Sequence, residues 1–248
     1  MAWNELPFAA QLTACIWFII VAFCFVLGGF FFHKYAKSQV LSRPFFLGIA
    51  IFAISYAVAR MLENIRKYFV STSLTDIVDS WKAGTQINDL NWDLRVAYYV
   101  IAWMGIAILF ANVEKYVFQK KSKFLITIAA LVEGTASIAL YVVQAGSPTF
   151  MILMVVASVG FFVPCIALAS LFGILAKNSP GKMRLGCLGG LVGIVLIFVG
   201  VLADLPEAAY IAGTALPDWI TGIAAPVILF GGFLIISASF VKILASSK

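Results

Sequence analysis

Glu133 stands inside an uninterrupted apolar run, Phe124 to Val143, where little chemistry is open to a carboxylate. It follows Lys123 by ten residues, about 15 Å along a helix at 1.5 Å per residue. If the run crosses a bilayer, that is close to its middle. An ionised carboxylate at such depth costs at least about 2.5 kcal/mol, so the group must face the protein interior, either paired or protonated. Its helix neighbours, Ala129, Ala130, Gly134, Ala136 and Ser137, are small enough for a second helix to approach closely. Two roles fit. Glu133 is a protonated acid hydrogen-bonded across a helix contact, or it is the polar centre of an ion, proton or ligand site with Ser137 beside it.

The second group with chemical potential is Arg60, Glu63, Arg66 and Lys67. Spacings of three and four place its members on one helix face as a ribbon of ion pairs. Arg60 follows Arg43 by 17 residues, about 25 Å along a helix, which brings it within reach of the far headgroups as a snorkelling anchor. Arg60 and Glu63 are also candidates to line a ligand or ion site, with Arg60 bending inward by about 10 Å toward Glu133.

Other chemistries lack their residues. His33 is the single histidine, which rules out haem held by two histidines of this chain. Cys15, Cys24, Cys165 and Cys187 lie singly in apolar runs, where cysteine behaves as a small hydrophobe. Neither a disulfide nor a metal site is expected. Gly-x-Ser-x-Gly, His-Glu-x-x-His and a Gly-rich phosphate loop ending in Lys are missing from the sequence. The reading is a non-enzymatic chain without a cofactor.

The elements that must position these residues follow from composition. Of the 248 residues 63% are hydrophobic and 11% charged, against about 25% charged in soluble domains. Too little polar surface exists to cover a body in water, whereas a lipid bilayer demands none. Apolar runs at 12–32, 44–61, 94–113, 124–143, 150–176, 185–203 and 220–241 each supply roughly the 20 residues a transmembrane helix needs. The expected fold is thus an all-α integral membrane protein, a single seven-helix domain over 1–248, multi-pass in the cell membrane.

Orientation follows from the basic residues, because positive loops resist translocation. Lys34, Lys37 and Arg43, then Lys115, Lys120, Lys121 and Lys123, then Lys177, Lys182 and Arg184, and finally Lys242 and Lys248 fall on one side. Only Arg66, Lys67, Lys82 and Arg95 fall on the other. The first side is cytoplasmic, which puts the amino terminus outside and the carboxyl terminus inside. The net charge of +6 is therefore spent on orientation, not on nucleic acid, since no basic patch forms. Trp3, Trp17, Trp81, Trp92 and Trp219 fall near the outer boundary, where indole prefers the headgroup layer, and Trp103 falls deeper.

Finer features complete the sketch. Leu74, Ile77, Val78 and Trp81 have the spacing of a short amphipathic helix on the outer surface, and 204–218, with Pro206, Gly213 and Pro217, is expected to be irregular. Pro164 and Pro226 are expected to bend the fifth and seventh helices. Gly186, Gly189, Gly190 and Gly193 form overlapping Gly-x-x-x-Gly pairs in the sixth run. They fit a helix of the same bundle or a homo- or hetero-oligomeric partner.

Seven spans, an outer amino terminus and a length near 250 residues resemble the microbial rhodopsins in topology. That family binds retinal through a lysine in the seventh span, and Ile220 to Leu234 contains none, so covalent retinal is excluded. The Pro-Gln motif of similarly sized sugar carriers is missing as well. The functional expectation is a bundle that senses or transports a small solute or ion around Glu133. The alternative is an accessory or assembly subunit of a larger membrane complex.

Overall fold

A run of apolar residues away from water can satisfy its peptide groups only by closing them on themselves, which makes helices the economical form. The computed structural model describes residues 8–37, 43–70, 90–116, 123–160, 162–204 and 223–246. They form α1 (Phe8–Lys37), α2 (Arg43–Ile65) continued by a π-helical turn (Arg66–Val70), α3 (Leu90–Tyr116), α4 (Leu125–Ala139), α5 (Pro148–Gly160), α6 (Phe162–Asn178), α7 (Gly181–Asp204) and α8 (Ala225–Ser246), with no strand among the described residues. The amphipathic segment around Leu74 to Trp81 and the loop after Asp204 lie outside them.

Five stretches are long and apolar enough to cross a membrane: Ala10–Lys37, Phe46–Val70, Leu90–Lys115, Pro148–Asn178 and Met183–Asp204. The other two apolar helices, Leu125–Ala139 and Ala225–Ser239, are shorter. The 15 residues of α4 rise about 22 Å, against roughly 30 Å for a hydrocarbon core. Its run was expected to extend to Val143, but the helix tightens first. The N–H groups of Tyr141 and Val142 donate to the carbonyls of Ile138 and Ala139, both at 3.0 Å, a three-residue closure typical of a helix end. Gly146 then takes a φ of +81°, open to glycine without strain. Ser147 Oγ accepts the Phe150 N–H at 3.1 Å and caps α5.

Pro164 lies in the apolar stretch Pro148–Asn178, three residues after residue 161, which is outside the described residues, and Pro226 follows the π-helical residues 223–224 near the start of α8.

The residues group into two compact units, Met1–Phe161 and Phe162–Lys248. In the first, α1 packs on α2, α2 on α3, α3 on α4 and α4 on α5. Helix α1 shows the pattern plainly: Ala10, Ala14, Trp17, Ile20, Val21, Cys24 and Phe31 face inward, while Phe18, Ile19, Phe25 and Val26 face out. In the second unit α7 lies against both α6 and α8. Its glycines make those contacts. A Cβ at Gly193 would fall 2.9 Å from the Gly232 carbonyl oxygen, and one at Gly200 3.0 Å from that of Ala225. Gly189 faces Ser239, Gly190 faces the Phe172 ring, and Gly186 is buried. The glycine faces are thus filled by α8 and α6 of the same unit.

Burial is inverted relative to a water-soluble protein. Arg60, Glu63, Arg66, Arg95, Glu114 and Glu133 are all buried, whereas large apolar side chains such as Phe8, Met104, Val142, Ile152 and Ile166 are exposed. In water, arginine and glutamate are almost never fully buried unless paired. Among the described residues every buried charge lies in the first unit.

Candidate functional site

The charges concentrate where the end of α2 meets the start of α3. The α3 residues Asn91, Arg95, Tyr99 and Trp103, spaced by four, are all buried and form one inward stripe. Glu63 and Arg66, three apart on α2 and its π-helical turn, face it. Arg66 Nε donates to Glu63 Oε2 at 2.9 Å and Arg66 Nη2 to Glu63 Oε1 at 3.0 Å, a two-pronged contact. Arg95 Nη1 approaches the same Oε1 at 2.7 Å from the opposite helix. One carboxylate is therefore shared by two guanidinium groups.

The rest of each guanidinium is held as well. Arg66 Nη1 donates to Asn91 Oδ1 at 2.7 Å. Arg95 Nε donates to the Tyr141 hydroxyl and Arg95 Nη2 to that of Tyr99, each at 3.1 Å. Tyr98 and Tyr99 present their rings 4.9 Å from the Arg95 guanidinium carbon, and Trp92 packs edge-on against Tyr141 while its indole N–H donates to the Tyr141 carbonyl. Arg95 thus ties α2, α3 and the turn after α4 together. Only arginine offers five donors in a fixed plane for such a junction.

A second layer lies one turn back along α2. The Arg60 guanidinium carbon sits 3.2 Å from the centre of the Trp17 ring, a cation–π stack that gains strength when desolvated. Arg60 is 2% exposed and Trp17 0%. Both side chains are enclosed by protein, where the indole face offers the guanidinium an electrostatic partner. Arg60 also faces the charge of Glu63.

Asn64, four residues after Arg60 and so on the same face, is 1% exposed. Neither atom of its amide group has a hydrogen-bond partner, and neither does the Trp17 indole nitrogen. An unmade hydrogen bond on a buried polar group costs about 1–3 kcal/mol, so each of these two residues stands out.

Glu133 is placed on other helices. It is 2% exposed and rests on Gly160 of α5, where an added Cβ would fall 3.1 Å from its Cγ. Ser137, one turn on, is buried too. Gly134 meets Trp103 of α3, with 2.8 Å between an added Cβ and the Trp103 Cβ. The small residues around Glu133 thus do admit neighbours closely on both sides. Glu114, at the far end of α3, accepts the N–H groups of Ile126 at 3.0 Å and Thr127 at 2.8 Å. It caps α4, whose entry passes through Lys123 and Phe124 at φ 50° and 60°. A carboxylate at a helix amino end meets free N–H groups and the favourable end of the dipole.

From the sequence, Arg60, Glu63, Glu133 and Ser137 were the candidates. The structure joins Arg60 and Glu63 and adds Arg95, Asn91, Tyr99, Tyr141, Asn64 and Trp17. A signal existed for the α3 partners: Asn91, Arg95 and Tyr99 are a polar stripe at intervals of four. Tyr141 carried none, because its position depends on the turn that ends α4.

Fold and site together define a helical bundle with an apolar exterior and an Arg–Glu–Arg triad buried at one end of its first unit. Among the described residues no three of His, Cys, Asp or Glu gather as metal ligands. Comparison of the chain with protein-family models, curated proteins and solved structures yields no match.

Proposed function

We propose that this chain is a multi-pass protein of the cell membrane, amino terminus outside and carboxyl terminus in the cytoplasm, that senses or moves a small solute or ion without catalysing a reaction. The observation that carries the reading is the inverted burial: charged side chains inside, large apolar ones outside. Ionisable groups within membrane helices are costly and characteristically mark solute, ion or proton pathways. The cluster of Arg60, Glu63, Arg66 and Arg95 replaces Glu133 as the main polar centre, with Glu133 a second polar point between α4 and α5.

The test is to place the full chain in lipid nanodiscs and follow thermal unfolding against a panel of small solutes and ions. At least one chemical class should raise the midpoint by several degrees, and R95L should lose the effect. A flat panel, together with purification as a stable hetero-assembly in native detergent, would instead favour an accessory subunit. Replacing Glu133 with Gln and with Leu separates its roles. If E133L is as stable and as responsive as wild type, Glu133 is not part of the polar centre.

A further inference from the structure

We infer that the end of the first unit made by the end of α1, the start of α2, the end of α3 and the start of α4 is a surface that gathers anionic phospholipid headgroups. The inference rests on the membrane reading and goes beyond it by giving that end a partner. Contacts between the helices bring the four ends together. Phe31 of α1 stacks on Phe46 of α2 with 6.2 Å between ring centres. An added Cβ at Gly48 of α2 would fall 3.1 Å from the Asn112 Cβ of α3, and Glu114 of α3 accepts the Ile126 and Thr127 N–H groups of α4.

Scattered along the sequence, the basic residues of this end read as separate boundary charges, and the fold sums them. The segments that end α1 and α3 and begin α2 and α4, residues 33–43 and 114–123, hold seven lysines and arginines against one acid, Glu114. Contacts among these groups leave that sum unchanged. Lys37, Arg43, Lys115 and Lys123 are exposed, one at each of the four helix ends, and the half-buried Lys34 has its Nζ 5.5 Å from the centre of the Phe30 ring. Glu114 is 0% exposed and turns both oxygens to the start of α4, so it puts little negative charge at the surface. The opposite end of the unit differs: Glu63, Arg66 and Arg95 are buried against one another, and Asp93 is exposed.

This layout selects the occupant. A free phosphate ion is held by donors aimed at one point, whereas charge spread over four helix ends matches a plane of many headgroups. The charged rim borders apolar surface, with Phe30, Phe32 and Leu125 exposed. Acyl chains therefore meet the sides of the same helices whose ends meet the phosphates, and the apolar stems of lysine and arginine bridge that boundary. The proposed threading puts this end in the cytoplasm, and the cytoplasmic leaflet is the anionic one, which attracts basic segments placed next to membrane helices.

The test places the full chain in phosphatidylcholine vesicles with trace spin-labelled phosphatidylglycerol or spin-labelled phosphatidylcholine, and the motionally restricted fraction of each label gives their relative association. Phosphatidylglycerol should be preferred about threefold or more at low salt. In about 1 M salt, where the screening length falls to about 3 Å, the preference should vanish. K37Q/K123Q, which changes two exposed side chains, should bring it below about twofold, and K37R/K123R should keep it, because the surface acts through its charge. The inference is overturned if the preference survives the salt, if K37Q/K123Q keeps it in full or K37R/K123R loses it, or if millimolar inorganic phosphate abolishes it at constant ionic strength. An acidic protein that copurifies with the chain and is released by the same salt would also overturn it, making this end a protein interface. Equal restriction of the two lipids sinks this inference alone, whereas a chain that restricts neither is not in the bilayer and loses the membrane reading as well.

Discussion

Glu63 is the residue whose loss should cost most. Its two oxygens receive three close contacts, from Arg66 Nε at 2.9 Å, Arg66 Nη2 at 3.0 Å and Arg95 Nη1 at 2.7 Å. In E63L both guanidinium groups keep their charge, stay in a buried site and face each other with nothing negative between them. Removing one partner of a buried ion pair costs about 3–5 kcal/mol, and here one deletion orphans two partners, so the upper half of that range is expected. For a chain of this size about 4 kcal/mol corresponds to a fall in unfolding midpoint of roughly 8–16 °C.

The arginine variants should be milder. R66M leaves the Glu63–Arg95 pair whole, and R95M leaves the two-pronged Glu63–Arg66 pair whole, so each should cost about 3 kcal/mol, the low end of the same range. The combination E63L/R95M then falls short of the sum of its parts by about 1–3 kcal/mol, the signature of direct contact. The assay is thermal unfolding in nanodiscs read by intrinsic fluorescence. If E63L melts within about 2 °C of wild type, or if E63L and R95M simply add, the shared carboxylate does not organise this end of the bundle and the cluster loses its claim to be a site.

Other perturbations test the remaining elements. E114A removes the acceptor for the Ile126 and Thr127 N–H groups and should destabilise by about 1–2 kcal/mol, as loss of a helix cap does, seen as faster hydrogen exchange at the start of α4. G193V sets a branched side chain against the Gly232 carbonyl and should prevent α7 and α8 from closing, whereas G173A, which meets nothing within 4 Å, should be neutral or stabilising by up to about 1 kcal/mol; near-equal melting of the two would undo the packing account. G160L should displace the Glu133 side chain that rests there and cost more than G160A, measured by the same melt. Single cysteines introduced near either terminus should label from opposite sides of a sealed vesicle, and labelling from one side would refute the proposed threading.

The helices were legible because apolar run length is a property of single segments. What sequence did not reveal is where runs end, since that is decided by local chemistry: Leu140 to Val143 are apolar, yet the chain turns there toward Gly146 and Ser147. Half of the candidate site was visible as the Arg60, Glu63 and Arg66 spacing. Arg95 looked like an ordinary boundary charge, because nothing in a one-dimensional reading places it opposite Glu63.

The two units are held together by different physics, and that difference bears on where a solute can act. Between helices in lipid there is little hydrophobic gain, so contacts rest on close fit or on polar groups. In the second unit α7 and α8 meet through Gly193, Gly200 and Gly232, a fit of backbones without charged groups. In the first unit the alignment of α2 with α3 is fixed by Glu63, Arg66, Asn91 and Arg95, and the alignment of α1 with α2 by Trp17 and Arg60. Glu63 is the link from α2 to α3, so a solute bound in the first unit would act on that alignment. The expected consequence is local: on ligand addition, hydrogen exchange should slow in α1, α2 and the start of α3 and stay unchanged in α7 and α8.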